Sequence, residues 1–289
     1  MNAPGALRTV GDHLTHARRT LAHLSSTPSL DSQLLMMKTL GVTRAWLIAH
    51  PEAPLTPSQS DAFERDLSQV AAGTALPYVL GSWEFFGRPF FVTPDVLIPR
   101  PETEILVTAA LRWLDARPSG QRVVDVGTGS GCIAISLALD MPGHLVKGID
   151  LSSAALDVAR RNAAAYHIEG EIEWAEGDLL EPVDGPLDLV CANLPYIASA
   201  RLQELDVGSR EPTLALDGGP DGLAGVERLA DQLGSKLTPE GRVLLELDPE
   251  QMERAAALMR GVRPGAAIDV LADLSGRQRV LVADWGSLE

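Results

Sequence analysis

Residues 188–199 read DLVCANLPYIAS, a hydrophobic run of strand character that breaks off in Asn193-Leu194-Pro195-Tyr196. A plain turn at that place needs only glycine or asparagine with a proline. The added tyrosine and the fixed order point to a grip on something flat. The amide exchanges hydrogen bonds, the proline stiffens the backbone before it, and the aromatic face stacks. A second place of this kind is Asp125-Val126-Gly127-Thr128-Gly129-Ser130-Gly131, set between a strand-like and a helix-like run. Glycines there turn the chain sharply and let backbone N–H groups approach a ligand without a Cβ in the way.

The elements that must position these loops follow from hydrophobic periodicity. From residue 121 the chain alternates strand and helix: RVVDVG, GCIAISLALD, HLVKGID, SAALDVARRNAAAYH, EIEWAEGD, LDLVCAN, DGLAGVERLADQLGSKL, GRVLLEL and PEQMERAAALMRG, closed by the strands AAIDVLAD and RQRVLVADW. That alternation predicts an α/β doubly wound parallel sheet with helices on both faces. In such a sheet a ligand sits beyond the carboxyl ends of the strands, where both loops fall. Residues 5–73 carry helical periodicity instead. Leu7, Val10, Leu14, Ala17 and Leu21 form one stripe, a second helix starts at a Ser29 cap and stops at Gly41, and a third ends at Gly73. Between the two regions, 77–104 alternates aromatic and β-branched residues around Gly87-Arg88, as a β-hairpin connector does. The expected domains are therefore 1–75, a small helical domain; 76–104, the connector; and 105–289, the α/β domain.

Composition bounds the function. The 289 residues are 45% hydrophobic and 22% charged, the balance of a soluble globular protein. No run approaches the roughly 20 apolar residues of a membrane span, and the first residues show no apolar signal core, so a cytoplasmic enzyme is expected. A net charge of −15 argues against broad phosphate neutralisation, hence against direct nucleic-acid binding. It suits a basic protein partner. Cys132 and Cys191 lie in hydrophobic segments without paired spacing and read as buried apolar residues. His13, His16 and His23 have no acidic or cysteine partner to complete a metal site and read as exposed helix residues, so no metal is expected.

The glycines fall at the first, third and fifth positions from Gly127, and the sixth is Cys132 where a dinucleotide fingerprint wants glycine. The tighter pattern resembles the cofactor loop of S-adenosylmethionine-dependent methyltransferases. On that resemblance Gly127, Thr128, Gly129, Ser130 and Gly131 contact the cofactor. Asp150 ends the next strand about twenty residues on, where an acid can take a ribose diol. Asp178 is placed to meet the adenine amino group and Leu179 to cover the ring. Asn-x-Pro-Tyr resembles the motif of methyltransferases that modify a planar nitrogen, either an adenine amine or a glutamine amide. Asn193 can accept one N–H through its side-chain oxygen and the Leu194 carbonyl the other, which aims the nitrogen lone pair. Tyr196 then stacks on the flat group, and Pro195 fixes where the Leu194 carbonyl points. Asn193 adjoins the cofactor as well.

Taken together, the helical N-terminal region, the hairpin, LIPRPETE at its end, DVGTGSGCIAISLA, NLPYI and EPTLALDGGPDGL resemble the HemK/PrmC family of release factor glutamine-N5 methyltransferases over nearly the full chain. The resemblance implies a class I methyltransferase domain of Rossmann-like fold, S-adenosylmethionine as cofactor, and peptide chain release factors as protein substrate, methylated on the glutamine of Gly-Gly-Gln. Arg100, in the most discriminating segment, then lies beside the cofactor and substrate cleft. The family more often has proline at Leu194 and, in some members, an aromatic residue at Leu179. A ribosomal-protein glutamine is the neighbouring alternative. Adenine-N6 methylation of nucleic acid, which the acidic charge disfavours, and a non-catalytic cofactor-binding module are the others.

Overall fold

The computed structural model describes residues 9–286, and the chain divides after Gly81 into two compact units. The first is helical: α1 (Val10–Leu21), α2 (Pro28–Leu40), α3 (Arg44–Ala49), α4 (Pro57–Ala71) and α5 (Leu76–Leu80). Val10, Ala17 and Leu21 of the predicted stripe are fully buried and Leu14 packs at its edge; Leu7 lies outside the described residues. Reciprocal capping boxes start α1 (Thr9 with Asp12) and α4 (Thr56 with Gln59). The α2 cap is Thr27 and not Ser29, because Pro28 lacks an N–H and its fixed φ suits the first helical turn.

Two further expectations change in this unit. The segment from 76 to 80 is helix and not the start of a hairpin: Pro77 opens it and Gly81, at φ 79°, closes it left-handed. His13 is fully buried rather than exposed. Its Nδ1 donates to the Thr9 carbonyl at 2.9 Å, its Nε2 meets Ser60 Oγ at 2.8 Å, and Phe63 packs edge-on against the ring. A histidine so satisfied is a core residue. His16 faces Glu64 at 3.6 Å and His23 is exposed.

The second unit opens with a hairpin, β1 (Ser82–Phe85) and β2 (Arg88–Phe91), joined by Phe86-Gly87, both at positive φ. That turn matches the right-handed strand twist. The hairpin is part of this unit, with Phe85 and Phe90 in its core. Buried Asn162 fixes it in place, accepting from the Phe91 N–H at 2.7 Å while donating to the Phe91 carbonyl at 3.0 Å and to the Ser130 carbonyl at 2.8 Å. A helix that the periodicity did not announce, α6 (Thr103–Asp115), follows.

Then come β3 (Arg122–Val126), α7 (Cys132–Asp140), β4 (Leu145–Asp150), α8 (Ser153–Ala165), β5 (Ile172–Glu176), β6 (Leu187–Ala192), the short α9 (Ser199–Leu202), α10 (Ala224–Leu233), β7 (Leu237–Glu246), α11 (Met252–Val262), β8 (Ala267–Ala272) and β9 (Gln278–Asp284). The seven-stranded sheet runs β5-β4-β3-β6-β7-β9-β8. It is not wholly parallel: β9 is antiparallel to both neighbours, because the connection from β8 is a tight turn at Asp273–Gly276 with no crossover helix. Strand order reverses beside β3, and the crevice this opens lies at the carboxyl ends of β3, β4, β5 and β6. Among the described residues no helix is long and apolar enough to cross a membrane.

Two substitutions probe this packing. A Cβ on Gly148 of β4 would sit 2.4 Å from the Trp174 ring, so Gly148→Ala is expected to destabilise the second unit by about 2 kcal/mol, the usual scale of overpacking, read in denaturant unfolding followed by tryptophan fluorescence. Ser60→Ala orphans the buried His13 Nε2 and is expected to cost about 1–2 kcal/mol, read as an earlier urea midpoint for the first unit.

Candidate active site

A cavity of about 780 Å³ occupies the crevice, within the range of small-ligand sites. Four strand ends build it. After β3, Gly127, Thr128, Gly129 and Ser130 line it, while Gly131 does not. Gly131 is instead a packing glycine at φ 79°: a Cβ there would meet Ile135, Ala159 and Trp174 at 3.0–3.2 Å. The loop's own amides are largely spent inside the protein. Gly127 and Thr128 donate to the Ile149 carbonyl, Gly129 to Asp150 Oδ2 at 2.8 Å, and Gly131 to the Thr128 carbonyl. The glycines at 127 and 129 therefore serve by left-handed φ and by a missing Cβ.

Asp125, at the strand's end beneath the loop, ties it down by accepting from the Thr128 hydroxyl at 2.6 Å and the Ala134 N–H at 3.1 Å. Its complete burial pushes the carboxyl up to about 7, against the pull of the Thr128 and Ala134 bonds. After β4, Asp150 lines the cavity, with one oxygen bonded by Gly129 N–H and the other by Ser152 N–H at 2.9 Å. Burial raises its carboxyl, and those backbone bonds oppose the rise. Each oxygen keeps a lone pair for a ligand hydroxyl.

After β5 come Asp178 and Leu179, both lining the cavity. Leu179 is held at φ 56°, a conformation that L side chains rarely adopt and that marks functional loops. Asp178 forms an ion pair with Arg228 of α10, a partner that the sequence does not announce. Side chains with formal charge on the wall are Asp95, Asp150, Asp178 and Asp217 against Arg100 and Arg228, a surplus of negative charge that favours a cation.

After β6, Asn193, Leu194 and Pro195 line the cavity. Asn193 Nδ2 donates to Thr103 Oγ1 of α6 at 3.1 Å, which turns the side-chain oxygen away from α6. Among the described residues no donor takes the Leu194 carbonyl. The segment is buttressed by glycines: a Cβ on Gly218 would strike the Pro195 carbonyl at 2.6 Å, and one on Gly222 the Tyr196 carbonyl at 2.2 Å. Gln251 donates to that same carbonyl at 2.8 Å.

Tyr196 is not among the residues lining the main cavity. It lines a second one of about 320 Å³ with Gln251 and Arg254. Burial, then the Glu246 carboxylate, holds its hydroxyl far above the usual phenol range. Arg100 is on the wall of the main cavity and pairs with buried Glu211, whose other oxygen accepts the Ile98 N–H at 3.1 Å. This joins the LIPRPETE segment to the loop before α10. Thr103, Asp125, Glu211, Arg228 and Glu246 are thus site-building residues to which motif reading gave no role, although Thr103, Asp125 and Glu211 lie within the motifs themselves.

The cavity's donor set suits a nucleoside carrying positive charge: a carboxylate for a diol, an acid beside an apolar wall for a flat amine-bearing ring, and glycines where the ligand must come close. Among the described residues no group of three or more His, Cys, Asp or Glu side chains is placed to hold a metal ion.

Comparison with known proteins agrees. The PrmC N-terminal domain matches residues 12–81 and the methyltransferase small domain residues 103–210. The release factor glutamine methyltransferase of Bordetella pertussis is 40% identical over 88% of this chain and 93% of its own. That of Moorella thermoacetica is 40% identical over 92% of this chain and 94% of its own. A solved methyltransferase from Pyrococcus furiosus shares the fold, with a TM-score of 0.51 at 18% identity, over 78% of this chain and 100% of that one. With relatives this similar matched over most of both chains, the chain belongs to the release factor glutamine methyltransferase family.

Proposed function

We propose that the protein methylates the side-chain nitrogen of the glutamine in the Gly-Gly-Gln motif of peptide chain release factors, in the cytoplasm. The observation that carries this reading is the pair of free acceptors at one end of the cavity, the Asn193 side-chain oxygen and the Leu194 carbonyl. A primary amide has two N–H bonds, and two acceptors at adjacent residues hold both.

S-adenosylmethionine is the cofactor, and the wall fits it: Asp150 for the ribose diol, Asp178 and Leu179 for the adenine, and Gly127 and Gly129 where a Cβ would intrude. When bound, it supplies a methyl group made electrophilic by a cationic sulfur. The protein's task is to prepare the amide. A glutamine nitrogen is a poor nucleophile because its lone pair is delocalised into the carbonyl. Asn193 and Leu194, by fixing both N–H bonds, orient that lone pair and weaken its conjugation. Pro195 keeps Leu194 extended and its carbonyl aimed. Arg100, on the wall of the main cavity, is the candidate edge of the substrate entrance. An alkylated amide nitrogen releases its extra proton to water, so no side chain has to act as base. The helical unit is the proposed docking region for the release factor. The net charge of −15 favours a protein substrate over nucleic acid.

The test is methyl transfer from labelled S-adenosylmethionine to purified release factor, with Gly-Gly-Gln intact or changed to Gly-Gly-Ala; label on the altered factor would overturn the reading. Asn193→Ala is expected to lower kcat by about 100-fold or more, the scale of a lost transition-state hydrogen bond, while cofactor Kd by calorimetry shifts less than about threefold. Asp150→Ala is expected to reverse the pattern, raising cofactor Kd by about tenfold or more through loss of charge-assisted hydrogen bonds.

A further inference from the structure

The two ends of an asparagine amide are nearly the same shape, so only hydrogen bonding decides which one faces the cavity. A lone hydroxyl cannot decide, since it accepts from NH2 as readily as it donates to oxygen. Thr103 is not alone. It is 2% exposed, and its hydroxyl lies within reach of the carboxylate of Glu246, itself 2% exposed. Strand register brings Asn193 and Glu246 together: Ala192 of β6 pairs with Leu245 of β7, so Asn193, just past β6, and Glu246, the last residue of β7, stand side by side. Glu246 Oε2 is buried with no hydrogen-bond partner. An ionised carboxylate only accepts. Thr103 must then donate to Glu246 and accept from Asn193, and Asn193 must offer its NH2.

We infer that Glu246 and Thr103 are positioning residues, a one-way chain of hydrogen bonds that locks the Asn193 amide with its oxygen toward the substrate nitrogen. This rests on the glutamine reading above and goes beyond it in naming what makes the acceptor an acceptor. The chain has a proton-dependent end. Burial raises the Glu246 carboxyl to about 7; the Thr103 hydroxyl pulls it down, Glu102 raises it, and Arg279 and Arg100 lower it. Tyr196 and Cys132 are the other titratable groups it faces. Once protonated, Glu246 can donate to Thr103, whose hydroxyl is freed to turn to Asn193, and both amide orientations become allowed. Turnover therefore falls as pH drops through about 7. Asp125 titrates in the same range, so the Glu246→Gln variant assigns the limb.

The full-length protein is compared with Thr103→Val, Thr103→Ser and Glu246→Gln for kcat and KM on release factor, for cofactor Kd, and for the Asn193 side-chain amide signals in substrate-free protein by nitrogen-labelled NMR, assigned by their loss in Asn193→Ala. Thr103→Val is expected to lower kcat about tenfold, as loss of one orienting hydrogen bond does, with KM and cofactor Kd within about twofold. Thr103→Ser recovers most of that loss. Glu246→Gln flattens the acid limb of kcat, and the Asn193 signals titrate near pH 7 in the wild type but not in this variant. Asn193 signals that ignore both pH and Thr103→Val would overturn the inference, as would kcat indifferent to Thr103→Val in an enzyme that methylates release factor. A wild type inactive on release factor, with Asn193 signals behaving as expected, sinks the substrate reading and leaves the chain of hydrogen bonds supported.

Discussion

The hydrogen bond from Asn193 to Thr103 is the constraint around which the active site is arranged. An asparagine at a strand end with nothing behind it offers a ligand either an oxygen or an NH2, and only one of these holds an amide to be methylated. The bond requires α6 to begin beside the end of β6, with Thr103 in its first turn and buried. The ion pair of Arg100 with Glu211 and the contact of Glu102 with Arg279, at 3.9 Å, secure the chain just before that turn. The LIPRPETE segment thereby becomes intelligible as physics: it is the mount for the residue that orients the acceptor.

The cofactor side is held by different means. Asp125 and Asp150 are carboxylates largely taken out of water and held by backbone and hydroxyl donors, Asp125 through Oδ2 alone. Such groups fix loops rigidly, because leaving them unpaired is costly. Asn162 ties the glycine loop to the hairpin by three hydrogen bonds, so the β1–β2 ribbon braces the cofactor loop although it lines none of the cavity. The glycines of 218–222 have an analogous role on the substrate side, allowing that segment to cross the Pro195 and Tyr196 carbonyls at distances no side chain permits.

Much of this was legible in the sequence, for a definable reason. The glycine loop, Asp150 and Asn-Leu-Pro-Tyr announce themselves because each packs its signal into a few consecutive residues at the end of a hydrophobic strand. Thr103 and Glu246 carry no such signal: a threonine opening a helix and a glutamate closing a strand are ordinary until the sheet register places them beside Asn193. Arg228 likewise comes from a helix whose pattern reads only as amphipathic. Local reading also erred where tertiary context decides, as with buried His13, whose partner Ser60 lies 47 residues away, and β9, whose direction depends on a short turn. Tyr196 shows the same limit: its place in the motif suggests a wall of the main cavity, whereas it lines the adjoining recess instead.

The most direct measurement is a crystal structure of the protein with demethylated cofactor and a Gly-Gly-Gln peptide, at a resolution that separates amide nitrogen from oxygen by its partners. The account predicts the glutamine nitrogen within about 3 Å of both the Asn193 side-chain oxygen and the Leu194 carbonyl, with Asn193 Nδ2 still on Thr103. A glutamine held elsewhere, or Asn193 turned so that its NH2 meets the substrate, would contradict it.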